Sequence, residues 1–395
     1  MSNAYRRLSR ALAALVLTAQ LAACSSLPRT PYTAEQAAAA TLPGLDPGVR
    51  AYADADAGTF SDMAGRPDRR KQPFAYLALS GGGGDGAYGA GILNGWSESG
   101  TRPEFTMVSG VSTGALIAPF AFLGPAYDAT LTEIYTSGIA GTLVQSPSLT
   151  NVVFGSGLFG DGRLRDLVGR FVTPELLAAI AEAHGKGRRL LVVTTNLDSQ
   201  RAVIWNMGAI AASGGPNAVA LFRDVLTASA SIPAVFPPQL IDVQAGPAAF
   251  QEMHVDGSVV TPVFTLPQSF LVRDGRLRTG GKADIYVVIN GRLEPEFGLA
   301  QNNTLSIVER SFTTASRARS QATLASTYAF TRANGIGFNL TYIDESAPNT
   351  RNARGFDTGY MRNLYQIGYE KGRTRGFWER NVPTAPLVKA IAAAR

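Results

Sequence analysis

Between Phe74 and Arg375, short apolar runs alternate with longer segments of helical pattern, and no other feature limits the possible folds as strongly. The runs Phe74–Ser80 and Phe105–Ser109 each end at glycine and are followed by a helical segment. Alternation of this kind is typical of an α/β fold, in which helices connect the strands of one sheet. The sequence therefore predicts an α/β protein.

The predicted elements leave no linker-like break between Phe74 and Arg375, so one domain is expected over residues 72–380. Residues 381–395 are expected to form a tail or a helix. The other predicted strands are Arg189–Thr195, Ala202–Trp205, a strand ending near Val255, Ile285–Asn290 and Phe338–Ile343. The predicted helices are Ala87–Ser97, Thr113–Phe122, Pro174–His184, Asn217–Ser229, Leu305–Phe330 and Thr358–Arg375.

The composition supports a folded body and argues against nucleic acid as a partner. The 395 residues are 45% hydrophobic and 17% charged, which is enough to bury a substantial core. The net charge is +6, but Arg6, Arg7 and Arg10 lie before a predicted cleavage site. The segment before that site contains no acidic residue, so its removal would take away three positive charges. The remaining 6 − 3 = +3 is too small and too scattered to indicate binding to nucleic acid.

Residues 1–23 are predicted to be a signal peptide. The apolar run Ala11–Gln20 is too short to span a bilayer of ~30 Å, and Leu21-Ala22-Ala23-Cys24 after it resembles the lipobox of bacterial lipoproteins. The resemblance implies that Cys24 becomes the acylated N-terminus, held at a membrane by several acyl chains. Ser25 stands where an inner-membrane retention signal usually has Asp, which favours the outer membrane, facing the periplasm. An ordinary secretory peptide with an incidental Cys24 is the alternative.

Residues 24–71 are expected to form a flexible tether. They are rich in Ala, Pro, Asp and Gly and show at most a short helix near Ala34–Thr41. Cys24 is the single cysteine of the chain, so neither an intrachain disulfide nor a cysteine-based metal cluster can form. No metal site is expected.

The segment Gly110-Val111-Ser112-Thr113-Gly114 lies between a predicted strand and a predicted helix. A Gly-x-Ser-x-Gly motif in this position holds the serine on a tight turn with its hydroxyl exposed above the sheet, as a nucleophile requires. The motif alone also arises by chance, so its context must support the interpretation. The context here is the expected one, and Ser112 is the candidate nucleophile.

The segment Ser80 to Gly86 is a second turn of this kind, with four consecutive glycines before Asp85. Consecutive glycines let backbone N–H groups converge near a helix N-terminus, where they can bind a phosphate or a developing oxyanion. A P-loop would need Gly-Lys-Ser/Thr, which is absent, and Asp85 would repel a phosphate. The oxyanion alternative is therefore favoured over nucleotide binding.

These two turns, together with Ala228–Pro238 and Val255-Asp256-Gly257-Ser258, resemble the patatin-like phospholipase family. The blocks occur in the family's order between Phe74 and Thr261, and their combination is more specific than any one of them. The resemblance implies a three-layer α/β fold with a mainly parallel central sheet flanked by helices. It also implies an enzyme that hydrolyses acyl esters of lipids and needs no cofactor. The expected partner is its substrate, a membrane lipid or another acyl ester.

The resemblance implies a Ser-Asp dyad, in which Ser112 attacks the ester carbonyl and Asp256 accepts its proton as the general base. It assigns the oxyanion hole to the N–H groups of Gly82, Gly83 and Gly84. Two positions depart from the family pattern: Asp85 stands where Arg or Lys is usual, and Ser258 where Gly or Ala is usual. Because Asp85 replaces the usual basic residue, the sequence does not show which group supports the glycine loop.

Two alternatives remain at this stage. The chain has two histidines, His184 and His254, and neither follows Asp256, so a triad in the order serine, acid, histidine would have to be Ser112, Asp198 and His254. The second alternative is a lipoprotein that binds lipid without catalysis, although such a role would not require the four blocks.

Overall fold

The computed structural model describes residues 29–65, 73–144, 162–272, 282–345, 347 and 356–383. The predicted signal peptide, Cys24 and residues 384–395 lie outside the described residues. The nine described strands are β1 (Arg50–Tyr52), β2 (Phe74–Leu79), β3 (Met107–Val111), β4 (Arg189–Asn196), β5 (Arg201–Asn206), β6 (Gln239–Ala245), β7 (Ala248–Asp256), β8 (Ala283–Ile289) and β9 (Gly337–Tyr342).

Twelve α-helices lie within the described part of the chain. They are α1 (Ala34–Ala38), α2 (Ala57–Ala64), α3 (Gly86–Glu98), α4 (Thr113–Leu123), α5 (Asp128–Thr136), α6 (Gly162–Phe171), α7 (Pro174–Gly185), α8 (Met207–Ser213), α9 (Gly215–Ser229), α10 (Gln268–Val272), α11 (Thr304–Asn334) and α12 (Thr358–Arg373). No described helix is both long enough and apolar enough to cross a lipid bilayer.

A single nine-stranded sheet forms the middle layer. Seven of its strands lie in the order β1-β5-β4-β3-β2-β8-β9, and outside this order β7 pairs with β4 and with β6. The strands from β4 to β9 in this order are parallel to one another, whereas β1, β5, β6 and β7 pair antiparallel. The predicted mixed α/β fold with a mainly parallel sheet is therefore confirmed.

Alternate residues of the central strands supply two separate hydrophobic cores. Leu77 and Val108 belong to one core, and Tyr76 and Met107, their neighbours in sequence, belong to the other. Side chains of α3, α4, α7 and α9 fill the first core, whereas α2 and α11 contribute to the second. Because side chains alternate across a strand, this division places helices on both faces of the sheet.

The expected tether is wrong for residues 29–65, which pack against the folded body. β1 pairs with β5 at the edge of the sheet, and the Tyr32 ring stacks on Phe250 at a centroid distance of 4.2 Å. Phe60 and Met63 of α2 are buried in the second core. These contacts extend the folded domain well before residue 72, because the segment gains its stability from partners distant in sequence.

Candidate active site

The strand register brings Ser112 and Asp256 to the same edge of β4. β3 pairs with the first part of β4 and ends with Val111 opposite Val193; β7 pairs with the next residues and ends with Asp256 opposite Thr194. β5 pairs with β4 throughout this region, so β3 and β7 must share the other edge. The chain therefore leaves β3 into Ser112 where β7 arrives at Asp256.

Ser112 occupies a strained turn between β3 and α4. Its φ of 54° and ψ of −125° lie in a region that residues with a side chain rarely adopt. Such strain costs on the order of 1–3 kcal/mol and persists where the surrounding structure imposes it. Helix α4 begins at the next residue, so Ser112 lies on a tight turn between strand and helix as the motif predicts, although the residue itself is buried.

The last residue of α9 and the segment directly after it fix the backbone of Ser112 and Asp256. The Ser112 N–H donates to Ser229 Oγ at 3.0 Å, and the Ser229 hydroxyl donates to the Val193 carbonyl at 2.7 Å. The Asp256 N–H donates to the Ser231 carbonyl at 3.0 Å. Both serines lie within Ala228–Pro238, but the sequence did not identify their role, which depends on contacts across the fold.

Asp256 is fully buried, and its environment changes its acidity. Burial raises the pKa of the Asp256 carboxyl to about 6, although the hydroxyl of Ser112 and the N–H and hydroxyl of Ser258 oppose the shift. The Ser258 N–H donates to Oδ1 at 2.7 Å. Oδ2 has no hydrogen-bond partner of ordinary geometry among the described residues. Gly or Ala, the usual residues at this position, would supply the same N–H, so what Ser258 adds is the hydroxyl that opposes the rise in the pKa of Asp256.

The glycine loop lies directly beside Ser112. A Cβ on Gly81 would be 3.1 Å from the Ser112 Cβ, so the loop backbone runs past the nucleophile. The Gly81 N–H donates to the Pro262 carbonyl at 2.9 Å. Among the described residues, no backbone carbonyl accepts a hydrogen bond from Gly82, Gly83 or Gly84, the three predicted oxyanion donors.

Asn290, directly after β8, supports this loop and was missed by the sequence reasoning. Its N–H donates to Ser80 Oγ and its side-chain amide donates to the Ser80 carbonyl, both at 2.8 Å. Its carbonyl oxygen lies so close to Gly82 that any Cβ there would overlap with it. A polar residue at the carboxyl end of a buried strand, where ligand sites of α/β sheets gather, is the signal that could have identified Asn290.

Asp85, the departure from the family pattern, is buried and accepts a hydrogen bond from the Tyr360 hydroxyl at 2.9 Å. Tyr360 lies in the first turn of α12, more than 270 residues from the loop. The sequence offered no reason to connect these two residues.

The alternative triad is not assembled. Asp198 binds Arg29 through both carboxylate oxygens, at 2.6 and 2.9 Å, and also accepts from the Tyr32 hydroxyl. Although burial opposes it, hydrogen bonds from Arg29, Tyr32 and the Met253 N–H lower the pKa of Asp198 to about 2. Asp198 thus serves to hold the N-terminal segment on the body.

His254 belongs to a buried polar network instead. Its Nδ1 lies 2.9 Å from the Thr194 hydroxyl and its Nε2 lies 3.1 Å from Glu252. Arg50 binds the same Glu252 through two hydrogen bonds of 2.5 and 3.1 Å. Burial lowers the pKa of His254 despite the opposing effect of Glu252. Both ring nitrogens therefore have partners other than Ser112 and Asp198.

No group of three or more His, Cys, Asp or Glu side chains in the described ranges has an arrangement that could hold a metal ion. The fold and the site together define an α/β protein with a candidate serine nucleophile beside a buried carboxyl group and a loop of glycine N–H groups.

Comparison with known proteins finds a family whose model matches this region of the chain. The model of the patatin-like phospholipases matches residues 77–267, which contain Ser112, Asp256 and the glycine loop. The match covers just under half of the chain, so residues 77–267 are similar to the patatin-like phospholipase domain. The search for similar curated proteins found no match.

Among solved structures, the crystal structure of VipD from Legionella pneumophila is similar to this chain, with a TM-score of 0.35 and 12% sequence identity. The similarity covers 76% of this chain and 66% of that chain, so the chain spans just under two thirds of the length of VipD.

Proposed function

We propose that this protein hydrolyses carboxylic esters of lipids through a Ser112–Asp256 dyad and an acyl-enzyme intermediate. The observation that carries the proposal is the junction of β3 and β7 on β4, which places the strained Ser112 turn beside the buried Asp256. The similarity of residues 77–267 to the patatin-like phospholipases supports lipid esters as the substrate class. A phospholipid, a lysophospholipid or another acyl glycerol would fit this chemistry.

In the first half of the reaction, the Ser112 hydroxyl attacks the ester carbonyl and its proton passes to Asp256. The oxygen that becomes negatively charged accepts hydrogen bonds from the N–H groups of Gly82, Gly83 and Gly84. Each such donor contributes about 2.7–4 kcal/mol in comparable enzymes. The tetrahedral intermediate collapses to the acyl-enzyme, and the leaving alcohol takes the proton from Asp256.

In the second half, water attacks the acyl-enzyme and transfers a proton to Asp256, and the released Ser112 recovers that proton as the fatty acid leaves. An ordinary aspartate is a weak base for a hydroxyl, because its pKa of ~3.9 is far below neutral pH. Burial raises the pKa of Asp256 to about 6, which brings it closer to the pH at which a general base works well.

The direct test is covalent labelling with a fluorophosphonate, which reacts with activated serine hydroxyl groups. We expect the intact mass of the wild-type chain to increase by one probe and peptide mapping to place the probe on Ser112, because Asp256 removes the hydroxyl proton during attack. Ser112→Ala is the matched control and should remain unlabelled. A wild-type chain whose mass does not change would favour the non-catalytic lipid-binding lipoprotein.

We also propose that acylated Cys24 anchors the enzyme to the outer membrane, facing the periplasm. The lipobox-like Leu21–Cys24 and the following Ser25 motivate this location. In a bacterium that processes lipoproteins, Cys24→Ala should move the protein from the membrane to the soluble fraction, and Ser25→Asp should move it to the inner membrane. Equal membrane retention of the wild type and Cys24→Ala would refute the anchor.

A further inference from the structure

Within residues 81–86 of the glycine loop, Asp85 is the one residue that is not glycine, and a distant helix holds its side chain. Asp85 precedes α3 but makes no capping hydrogen bond to the α3 backbone. Its Oδ1 instead accepts from the Tyr360 hydroxyl of α12 at 2.9 Å, and both residues are buried. A buried carboxylate needs hydrogen-bond donors, so this contact offsets part of the cost of placing Asp85 beside the loop.

Helix α12 can hold the loop because it is fixed against α3 at backbone distance. Glycines on each helix face the backbone of the other, and a Cβ on any of them would overlap with it. The four glycines are Gly91 and Gly95 of α3 and Gly368 and Gly372 of α12. Close contact of this kind leaves α12 little freedom to shift along α3.

The start of α12 also touches the loop backbone. A Cβ on Gly83 would be 3.6 Å from the Phe356 ring, just before the helix. Gly83 has φ of 58°, a conformation that a residue with a side chain rarely adopts. The turn that presents the Gly82, Gly83 and Gly84 N–H groups is thus bounded by Phe356 on one side and tied to Tyr360 through Asp85.

We propose that Asp85 and Tyr360 are a positioning pair that orients the glycine loop toward the oxygen of the reacting ester. The inference rests on the proposed function and adds α12, which lies beyond the family match at residues 77–267, to the catalytic apparatus. A carboxylate near the N–H groups of the loop would compete with the oxyanion for them. The Tyr360 hydroxyl keeps Oδ1 engaged with α12, so those N–H groups remain available to the substrate.

Tyr360→Phe tests the pair because it removes only the hydroxyl group from which Asp85 accepts a hydrogen bond. We expect kcat for a phospholipid ester to fall about 10- to 100-fold with little change in KM, since a small misplacement of catalytic groups has effects of this size. Tyr365→Phe is the matched control on the same helix. The Tyr365 hydroxyl is bonded to Asn94 and Thr132 rather than to the loop, so its loss should leave kcat near the wild-type value.

Variants of Asp85 make the test independent of how Tyr360→Phe folds. Asp85→Asn keeps a carbonyl oxygen that can accept the hydrogen bond from Tyr360, so this variant should retain most of the wild-type kcat. Asp85→Ala cannot accept this hydrogen bond, and its kcat should fall as far as that of Tyr360→Phe. The double variant Tyr360→Phe/Asp85→Ala should be no worse than either single variant, because both changes remove the same hydrogen bond.

Three outcomes would overturn the pair: wild-type kcat in Tyr360→Phe, an equal loss in Tyr365→Phe, or additive losses in the double variant. Ser112→Ala, measured alongside, separates this inference from the proposed function. If Ser112→Ala retains turnover, the hydrolase mechanism itself fails. If Ser112→Ala is inactive and Tyr360→Phe is normal, only the positioning pair fails.

Discussion

Replacement of Ser112 by alanine is expected to lower turnover of a carboxylic ester by about 10³-fold or more, because only binding and the oxyanion donors remain. The Ser112 N–H bond to Ser229 does not involve the missing hydroxyl, so the turn should persist. Release of p-nitrophenol from a short-chain ester and release of fatty acid from phospholipid micelles measure the loss. Equal rates for the wild type and Ser112→Ala on both substrates would eliminate the serine mechanism.

Ser112→Gly provides a control for the backbone of the turn. It should be as inactive as Ser112→Ala but more stable than it by on the order of 1 kcal/mol, because glycine adopts φ of 54° without the steric cost that a Cβ imposes. Thermal unfolding of the two variants measures the difference. A glycine variant less stable than the alanine variant would show that the turn is not strained.

Replacement of Asp256 by asparagine is expected to reduce kcat by about 10³- to 10⁴-fold, because an amide cannot accept the Ser112 proton. Asp198→Asn is the matched control, since it makes the same chemical change at the acid of the alternative triad. Asp198 is bound to Arg29 and Tyr32, and its replacement should leave kcat nearly unchanged. Loss of activity in Asp198→Asn with retention in Asp256→Asn would establish the triad instead.

The same replacement of Asp256 should stabilise the folded protein at neutral pH. Burial raises the pKa of Asp256 from its ordinary 3.8 to about 6, so its ionisation costs folding free energy that grows as the pH rises above 3.8 and reaches its full size above 6. The cost is about 3 kcal/mol at neutral pH and disappears as the pH falls through 6 toward 3.8. Thermal unfolding should therefore show a more stable Asp256→Asn variant at neutral pH and no difference near pH 3.8.

Activity should respond to pH in the opposite sense. The dyad needs an ionised Asp256, so kcat/KM of the wild type should fall as the pH drops through about 6. Asp198, with a pKa of about 2, stays ionised over this range and cannot produce such a decline. A pH profile that stays flat well below 6 would contradict Asp256 as the base.

The sequence predicted the central strands and helices closely. The expected strand Phe74–Ser80 is β2 at Phe74–Leu79, and the expected helix Thr113–Phe122 is α4 at Thr113–Leu123. These elements are long apolar runs with clear boundaries, and such local signals persist in the folded chain. β6 was missed, because only residues 241–244 in its middle alternate between buried and exposed positions.

The N-terminal segment shows why composition was misleading. Residues 29–65 look like a linker in isolation, yet Arg50 reaches the buried Glu252 and Tyr32 stacks on Phe250. Both contacts join residues about 200 apart in the chain. No local pattern predicts such contacts, since they exist only once β6 and β7 have formed.

By itself the sequence determined the alternation of strands and helices, the serine turn, the glycine loop and the candidate carboxylate. Each of these features depends on residues that are consecutive in the chain. Only the tertiary structure decided that β7 continues along the edge of β4 where β3 ends, and thereby brought Asp256 to Ser112. It also removed Asp198 and His254 from consideration by giving both other partners, and it connected Asp85 to Tyr360. Strand register and helix packing depend on partners distant in the chain, so neither can be read from any one segment.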